Sequence, residues 1–76
     1  MCYLLTNTGR YVTDDLSLTD SLPDAHAFHS PTMALRVAYA AMQAHPDVSD
    51  ISVQDVATRR TIATAWRSLI GQSFYS

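Results

Sequence analysis

The sequence predicts an α+β fold, in which a small antiparallel sheet of about four strands carries one helix on one face. Two observations support this. Strand-forming runs occur in pairs near both ends of the chain, and a helical segment with clear start and stop signals lies between them. The element order is therefore β-β-α-β-β, followed by a short C-terminal element. We expect residues 1–65 to form a single domain and residues 66–76 to form a C-terminal tail.

The composition of the chain excludes several classes of protein. Its 76 residues are 47% hydrophobic and carry a formal net charge of −2, which excludes a disordered tail. The single cysteine excludes a disulfide framework and a cysteine-based zinc finger. The sequence contains no apolar run near the roughly 20 residues that span a bilayer, and no secretory signal pattern. We therefore expect a cytoplasmic protein that binds no membrane.

The first pair of strands is predicted at residues 2–6 and 10–13. Both runs are rich in strand formers, and the link Asn7-Thr8-Gly9 contains the glycine that short hairpin loops favour. Residues 16–19 alternate apolar and polar side chains, which indicates either an extension of this hairpin or a short edge strand.

The helix is predicted from Pro31 to about Ala44. We expect the Ser30 side chain to cap the first turn by accepting hydrogen bonds from backbone N–H groups, and Pro31 suits the first helical position. His45 precedes Pro46, and a residue before proline is driven out of the helical conformation, so the helix ends there.

A second hairpin is predicted after the helix, with strands at residues 50–56 and 61–65 and a turn at residues 57–60. The spacing of Trp66, Leu69 and Ile70 in the tail fits one or two helical turns. Phe74 and Tyr75, however, give the tail more aromatic surface than a frayed terminus should carry. A helix, a strand and an arm exchanged between subunits therefore all stay open.

The helix carries two apolar faces. One face consists mostly of small residues and suits close packing on the sheet: Ala34, Val37, Ala38 and Ala41. The second is a ridge of Leu35, Tyr39 and Met42, although a helix over one sheet needs a single apolar face. The ridge is either a core margin covered by the tail, or an association surface. In the second case Leu35→Glu or Tyr39→Glu should dissociate the protein without unfolding it. That surface would also include three tail residues: Trp66, Leu69 and Phe74.

Two constellations give alternative functions. His26 and His29 form a close histidine pair, which suggests a metal-binding module, although a solvated connector before the helix is the simpler interpretation. A nucleic-acid accessory protein would use Arg59, Arg60 and Arg67. The slightly acidic balance of the chain argues against it, because nucleic-acid binders usually carry a basic patch.

The candidates for catalysis are weak. Cys2 lies in a predicted strand with no neighbour that would lower the pKa of its thiol. Asp14 and Asp15 are adjacent in a turn, where two carboxylates rarely form an acid–base couple. The chain also has no glycine-rich phosphate loop. We therefore expect no enzymatic activity, no cofactor and no metal.

The chain resembles a loose pattern in small uncharacterised proteins encoded by phages, prophages and plasmids. The pattern is a hairpin, a junction into a helix and one or two further strands, and it covers about residues 3–65. Here it is carried by residues 11–16, Thr19, residues 24–25, residues 28–30, Ala34 and Ala38. The resemblance implies that Ala25 and Phe28 pack the start of the helix and that Ser30 caps it. It implies no active-site residue. Such proteins include many inhibitors and adaptors, anti-CRISPR proteins among them.

We therefore expect a small non-enzymatic protein-interaction module of the adaptor or inhibitor type, of bacterial or phage origin. The two-sided apolar helix and the aromatic tail favour self-association, as a homodimer. We expect a protein partner, and neither nucleic acid nor a membrane.

Overall fold

A computed structural model of the chain describes residues 1–67, which form one antiparallel sheet with a helix on one face. The strands lie in the order β3-β2-β1-β4-β5. The α+β class is confirmed, with five strands in place of about four. The elements are β1 (Cys2–Thr6), β2 (Tyr11–Val12), β3 (Leu18–Thr19), a 3-10 turn (Leu22–Asp24), α1 (Pro31–Ala44), β4 (Asp50–Asp55) and β5 (Thr61–Trp66).

The first hairpin forms where the sequence predicts it. The turn between β1 and β2 uses Gly9 in the left-handed region, with φ 84°, a conformation that glycine adopts without steric cost. The Thr6 side-chain oxygen accepts a hydrogen bond from the Arg10 N–H at 3.2 Å, which holds the turn closed.

The predicted strand at residues 16–19 is wrong in its first half. The Thr13 N–H donates to the Ser17 carbonyl at 2.9 Å, which closes a tight turn before β3. Leu16 lies inside that turn with φ 68°, so β3 begins at Leu18. The edge-strand interpretation of this segment is the one that the structure adopts.

The helix has the predicted bounds, Pro31–Ala44, but its predicted cap is wrong. Ser30 occupies the N-cap position in an extended conformation, yet its side chain makes no capping hydrogen bond. The Ser30 carbonyl accepts from the Ala34 N–H at 3.0 Å instead. At the other end the His45 N–H donates to the Ala41 carbonyl at 2.9 Å, and the chain then leaves the helix.

The core lies between α1 and the sheet. Ala34, Ala38 and Ala41 are fully buried, as the small-residue face predicts, whereas Val37 is half-buried. The alanines let the helix lie close to the inward-facing strand residues: Cys2, Leu4, Val12, Ile51, Val53 and Ala65. These strand residues alternate with residues on the opposite face because side chains along a strand have a period of two.

The second hairpin is also confirmed, with strands that end at Asp55 and Trp66. Its register shifts between Val53 and Gln54, which pair with Ala63 and Thr61, so Ile62 is an additional residue at a β-bulge. No helix within residues 1–67 is long and apolar enough to cross a membrane.

Candidate functional site

The β3 and β5 strands at the edges of the sheet differ in length and charge. The β3 strand has two residues, and the exposed ion pair of Arg10 and Asp20, at 3.4 Å, lies beside it. Short strands and charged side chains are the usual means by which proteins prevent strand pairing at an edge. The β5 strand, Thr61–Trp66, has six residues and contains neither a charged side chain nor a proline.

The outer edge of β5 presents backbone hydrogen-bonding groups. The Arg67 N–H donates to the Ser49 carbonyl at 2.9 Å, so the backbone groups of Arg67 point towards the β4 side. Hydrogen-bonded and non-hydrogen-bonded pairs alternate along an antiparallel ladder. Ala65 therefore also faces β4, whereas the N–H and C=O groups of Trp66 and Thr64 point away from it. Within residues 1–67, β5 pairs with β4 alone.

Two large apolar side chains stand on the same strand. Ile62 is 49% exposed and Trp66 is 48% exposed. Trp66 pairs with Asp50 on the sheet face opposite to the helix, whereas Ala63 and Ala65 pack towards the core. The strand therefore combines outward-pointing backbone groups with exposed apolar side chains, which together are the requirements for adding another strand.

Side chains of β1, β2 and β4 contact one another on that sheet face. The Tyr3 hydroxyl donates to the Gln54 side-chain oxygen at 2.8 Å, and the Tyr3 ring packs edge-on against Tyr11 with 5.5 Å between ring centroids. Tyr3 is 5% exposed although it points away from the core cluster. These contacts fix the sheet that supports β5.

The three residues of the second helix ridge differ in how deeply they are buried. Leu35 and Tyr39 are half-buried and pack against the core cluster. Met42 is fully buried within that cluster, so it offers no surface to a partner. Trp66 lies in β5 and not in a helical tail. Two further candidate interface residues lie outside the described residues: Leu69 and Phe74.

The three candidate arginines do not form one patch. Arg59 and Arg60 are exposed in the turn between β4 and β5, and Arg59 has φ 61°. Arg67 turns inward instead. Its guanidinium donates to backbone carbonyls at the end of α1 and just beyond it, so it is not presented to a phosphate backbone.

The two histidines line a cavity of about 460 Å³ beside the start of α1. His26 packs edge-on against Phe28, with 4.7 Å between ring centroids. His29 is exposed, and most of the remaining wall is apolar, with Leu16, Met33 and Val37 contributing. No group of three or more metal-ligating side chains comes together in the part of the chain that the structure describes.

The candidate nucleophile, Cys2, and the adjacent carboxylates Asp14 and Asp15 do not form a catalytic arrangement with one another in the residues that the structure describes. Cys2 is buried, and desolvation raises the pKa of its thiol, so the unreactive thiol form is favoured. Hydrogen bonds from Thr13 and Ser17 lower the pKa of Asp15, and Asp14 is exposed. Asp15 therefore holds the turn before β3 in place.

Comparison with protein-family models, with curated proteins and with solved structures found no match. The outer edge of β5 is a candidate site that was not predicted from the sequence. The signal was present as an uncharged strand with alternating β-branched residues, but its position at a sheet edge depends on β1 pairing with β4.

Proposed function

We propose that this protein is a small non-enzymatic protein-interaction module, which binds an extended segment of its partner along the outer edge of β5. In this mode of recognition the partner adds a strand to the sheet. Main-chain hydrogen bonds provide affinity, and side chains on alternate positions provide specificity. We further propose, from the sequence resemblance, that the module is of the adaptor or inhibitor type and of bacterial or phage origin.

The single observation that carries the proposal is the contrast between the two edges of the sheet. The β3 edge is short and flanked by an ion pair, whereas β5 is six residues long and uncharged. A long edge strand with exposed apolar side chains is an aggregation hazard that proteins normally suppress, and of the usual protective features β5 has the bulge at Ile62 but no charge and no proline. An edge of this kind is consistent with selection for pairing with another chain.

The other candidates have less support. Arg67 is hydrogen-bonded at the end of α1, so only two of the three arginines proposed to bind nucleic acid, Arg59 and Arg60, are exposed for that role. The histidine alternative gains no third ligand among residues 1–67. Neither constellation therefore has the set of groups that its chemistry requires.

The test uses one substitution that blocks strand addition and one that does not. Thr64→Pro removes the outward-pointing N–H and places a ring at the edge, and no hydrogen bond between β4 and β5 is lost. Thr64→Val is the matched control, because it retains the backbone groups and the strand propensity. Ile62→Lys is a second blocking variant, which places a charge on the edge.

The measurement is binding to a library of random displayed peptides. We expect peptides that alternate apolar and polar residues to bind the unsubstituted protein and Thr64→Val. Binding should weaken at least about tenfold with Thr64→Pro and Ile62→Lys, since both hydrogen bonds and desolvated contacts are lost. Circular dichroism checks that each variant is folded. Peptides that bind all four proteins equally, or the absence of any binder, would contradict the proposal.

A further inference from the structure

We infer that the partner strand at β5 is β5 of a second copy of this chain, antiparallel and centred on Thr64. This inference rests on the proposed function, and it names the occupant of the edge. The two copies are related by a twofold axis through the middle of the pair, and their sheets join into one continuous sheet. A twofold contact of this kind closes on itself and gives a dimer and not a fibre.

The register follows from the direction of the backbone groups. The N–H and C=O groups of Thr64 and Trp66 point outward, whereas those of Ala63 and Ala65 face β4. Two copies can exchange hydrogen bonds only where outward-pointing residues are opposite each other. A pair centred on Thr64 makes each Thr64 the hydrogen-bonded partner of its own counterpart, and it overlaps most of the length of both strands.

The side chains match in the same register. Ile62 lies opposite Trp66 of the second copy, so the two most exposed apolar residues of β5 cover each other. Ala63 lies opposite Ala65 of the second copy, on the side of the sheet that carries α1. The two threonines at the centre form a cross-strand pair that favours antiparallel sheets.

The lack of charge in β5 also allows a second copy to be the occupant. In an isologous pair centred on Thr64, a charge at that central position would lie directly against its own copy, whereas the other residues of β5 each lie opposite a different residue. The strand Thr61–Trp66 contains no charged side chain. Of the two charged residues that flank the strand, Arg60 is exposed in the preceding turn, and Arg67 is engaged by backbone carbonyls at the end of α1 and beyond. Nothing in the strand therefore repels its counterpart.

The first part of the test is the mass in solution, by light scattering over a dilution series. We expect a dimer at high concentration that dissociates on dilution. Thr64→Pro should be a folded monomer at concentrations where Thr64→Val is a dimer. Ile62→Lys provides the same comparison should Thr64→Pro fail to fold. A monomer at every concentration overturns the inference, whereas the proposed function stands if that monomer still binds displayed peptides.

The second part of the test fixes the register by cross-linking. In the proposed pair the two Thr64 Cα atoms are about 5.5 Å apart, which lies within the range that a disulfide spans. Thr64→Cys should therefore form a covalent dimer under mild oxidation, and the buried Cys2 should not. Thr61→Cys is the control, because the two copies of that residue would be about 20 Å apart. Cross-linking by Thr61→Cys, or none by Thr64→Cys in a dimeric protein, overturns the register.

Discussion

The Arg67 guanidinium donates a hydrogen bond to the Met42 main-chain carbonyl over 2.7 Å, and this contact ties the end of β5 to the end of α1. The same guanidinium donates to the carbonyls of His45 and Val48, each at 2.9 Å. The last carbonyl groups of a helix have no partner within the helix, and the negative end of the helix dipole lies there. Arg67 supplies one of these groups, the Met42 carbonyl, with a positively charged donor.

The first prediction concerns this contact. Arg67→Ala should lower the free energy of unfolding by about 1.5–3 kcal/mol, the usual worth of hydrogen bonds to a charged group. Arg67→Lys should recover only part of the loss, because an ammonium group cannot reach several carbonyls in the planar geometry of a guanidinium. Urea unfolding measures both. Arg60→Ala, at an exposed turn position, is the control and should change stability by less than about 0.5 kcal/mol.

The burial of Met42 gives the second prediction. Met42→Ala should lower the free energy of unfolding by about 2–5 kcal/mol, because it leaves a cavity between α1 and the sheet. Met33→Ala is the matched control on the same helix, since Met33 is 56% exposed. Thermal unfolding of the two variants compares them. Equal losses of stability at the two positions would show that Met42 is not in the core.

The third prediction concerns the thiol of Cys2. It is buried and its pKa is raised by desolvation, so it should resist alkylation by iodoacetamide at pH 8 in the native protein. The same thiol should react quantitatively in guanidinium chloride. Mass spectrometry of samples quenched over time measures both rates. Rapid alkylation of the folded protein would show that this residue is accessible.

The fourth prediction is the acid sensitivity of the second hairpin. Asp55 accepts hydrogen bonds from the N–H groups of Ala57 and Thr58, at 3.0 and 2.9 Å, and these bonds lower its pKa. A carboxyl group with a lowered pKa stabilises the fold above its unfolded-state pKa, and this contribution is lost as the pH falls through the folded-state pKa. Asp55→Asn should therefore reduce the fall in Tm between pH 5 and pH 2. Asp14→Asn, at an exposed carboxylate, is the control, and an unchanged pH profile for Asp55→Asn would contradict this account.

The sequence predicted the elements of this fold better than their arrangement. The helix bounds were predicted because Pro31 and Pro46 act locally, through fixed backbone geometry and the restriction on the preceding residue. The segment that begins at Leu16 was predicted incorrectly, because its alternating pattern does not reveal a left-handed residue in the turn. Ser30 has the residue type and position of a cap, but its hydroxyl is not used as one.

The candidate site was harder to predict because it depends on contacts distant in sequence. Leu4 pairs with Val53 across the whole helical segment, and that pairing places β1 at the centre and β5 at an edge. The acceptors of Arg67 lie on segments that precede it by many residues, so no local pattern indicates that this side chain turns inward. The burial of Met42 depends on how the helix is rotated over the sheet, and helical periodicity leaves that angle open.

The most direct test of the account is amide hydrogen exchange along β5, measured by NMR at low and high protein concentration. The Ala65 N–H faces β4 and should be protected at both concentrations. The Thr64 N–H points to the outer edge, and we expect it to be protected at high concentration and to exchange rapidly after dilution. Rapid exchange of the Thr64 N–H at every concentration, with Ala65 protected throughout, would show that no strand is added at this edge in solution.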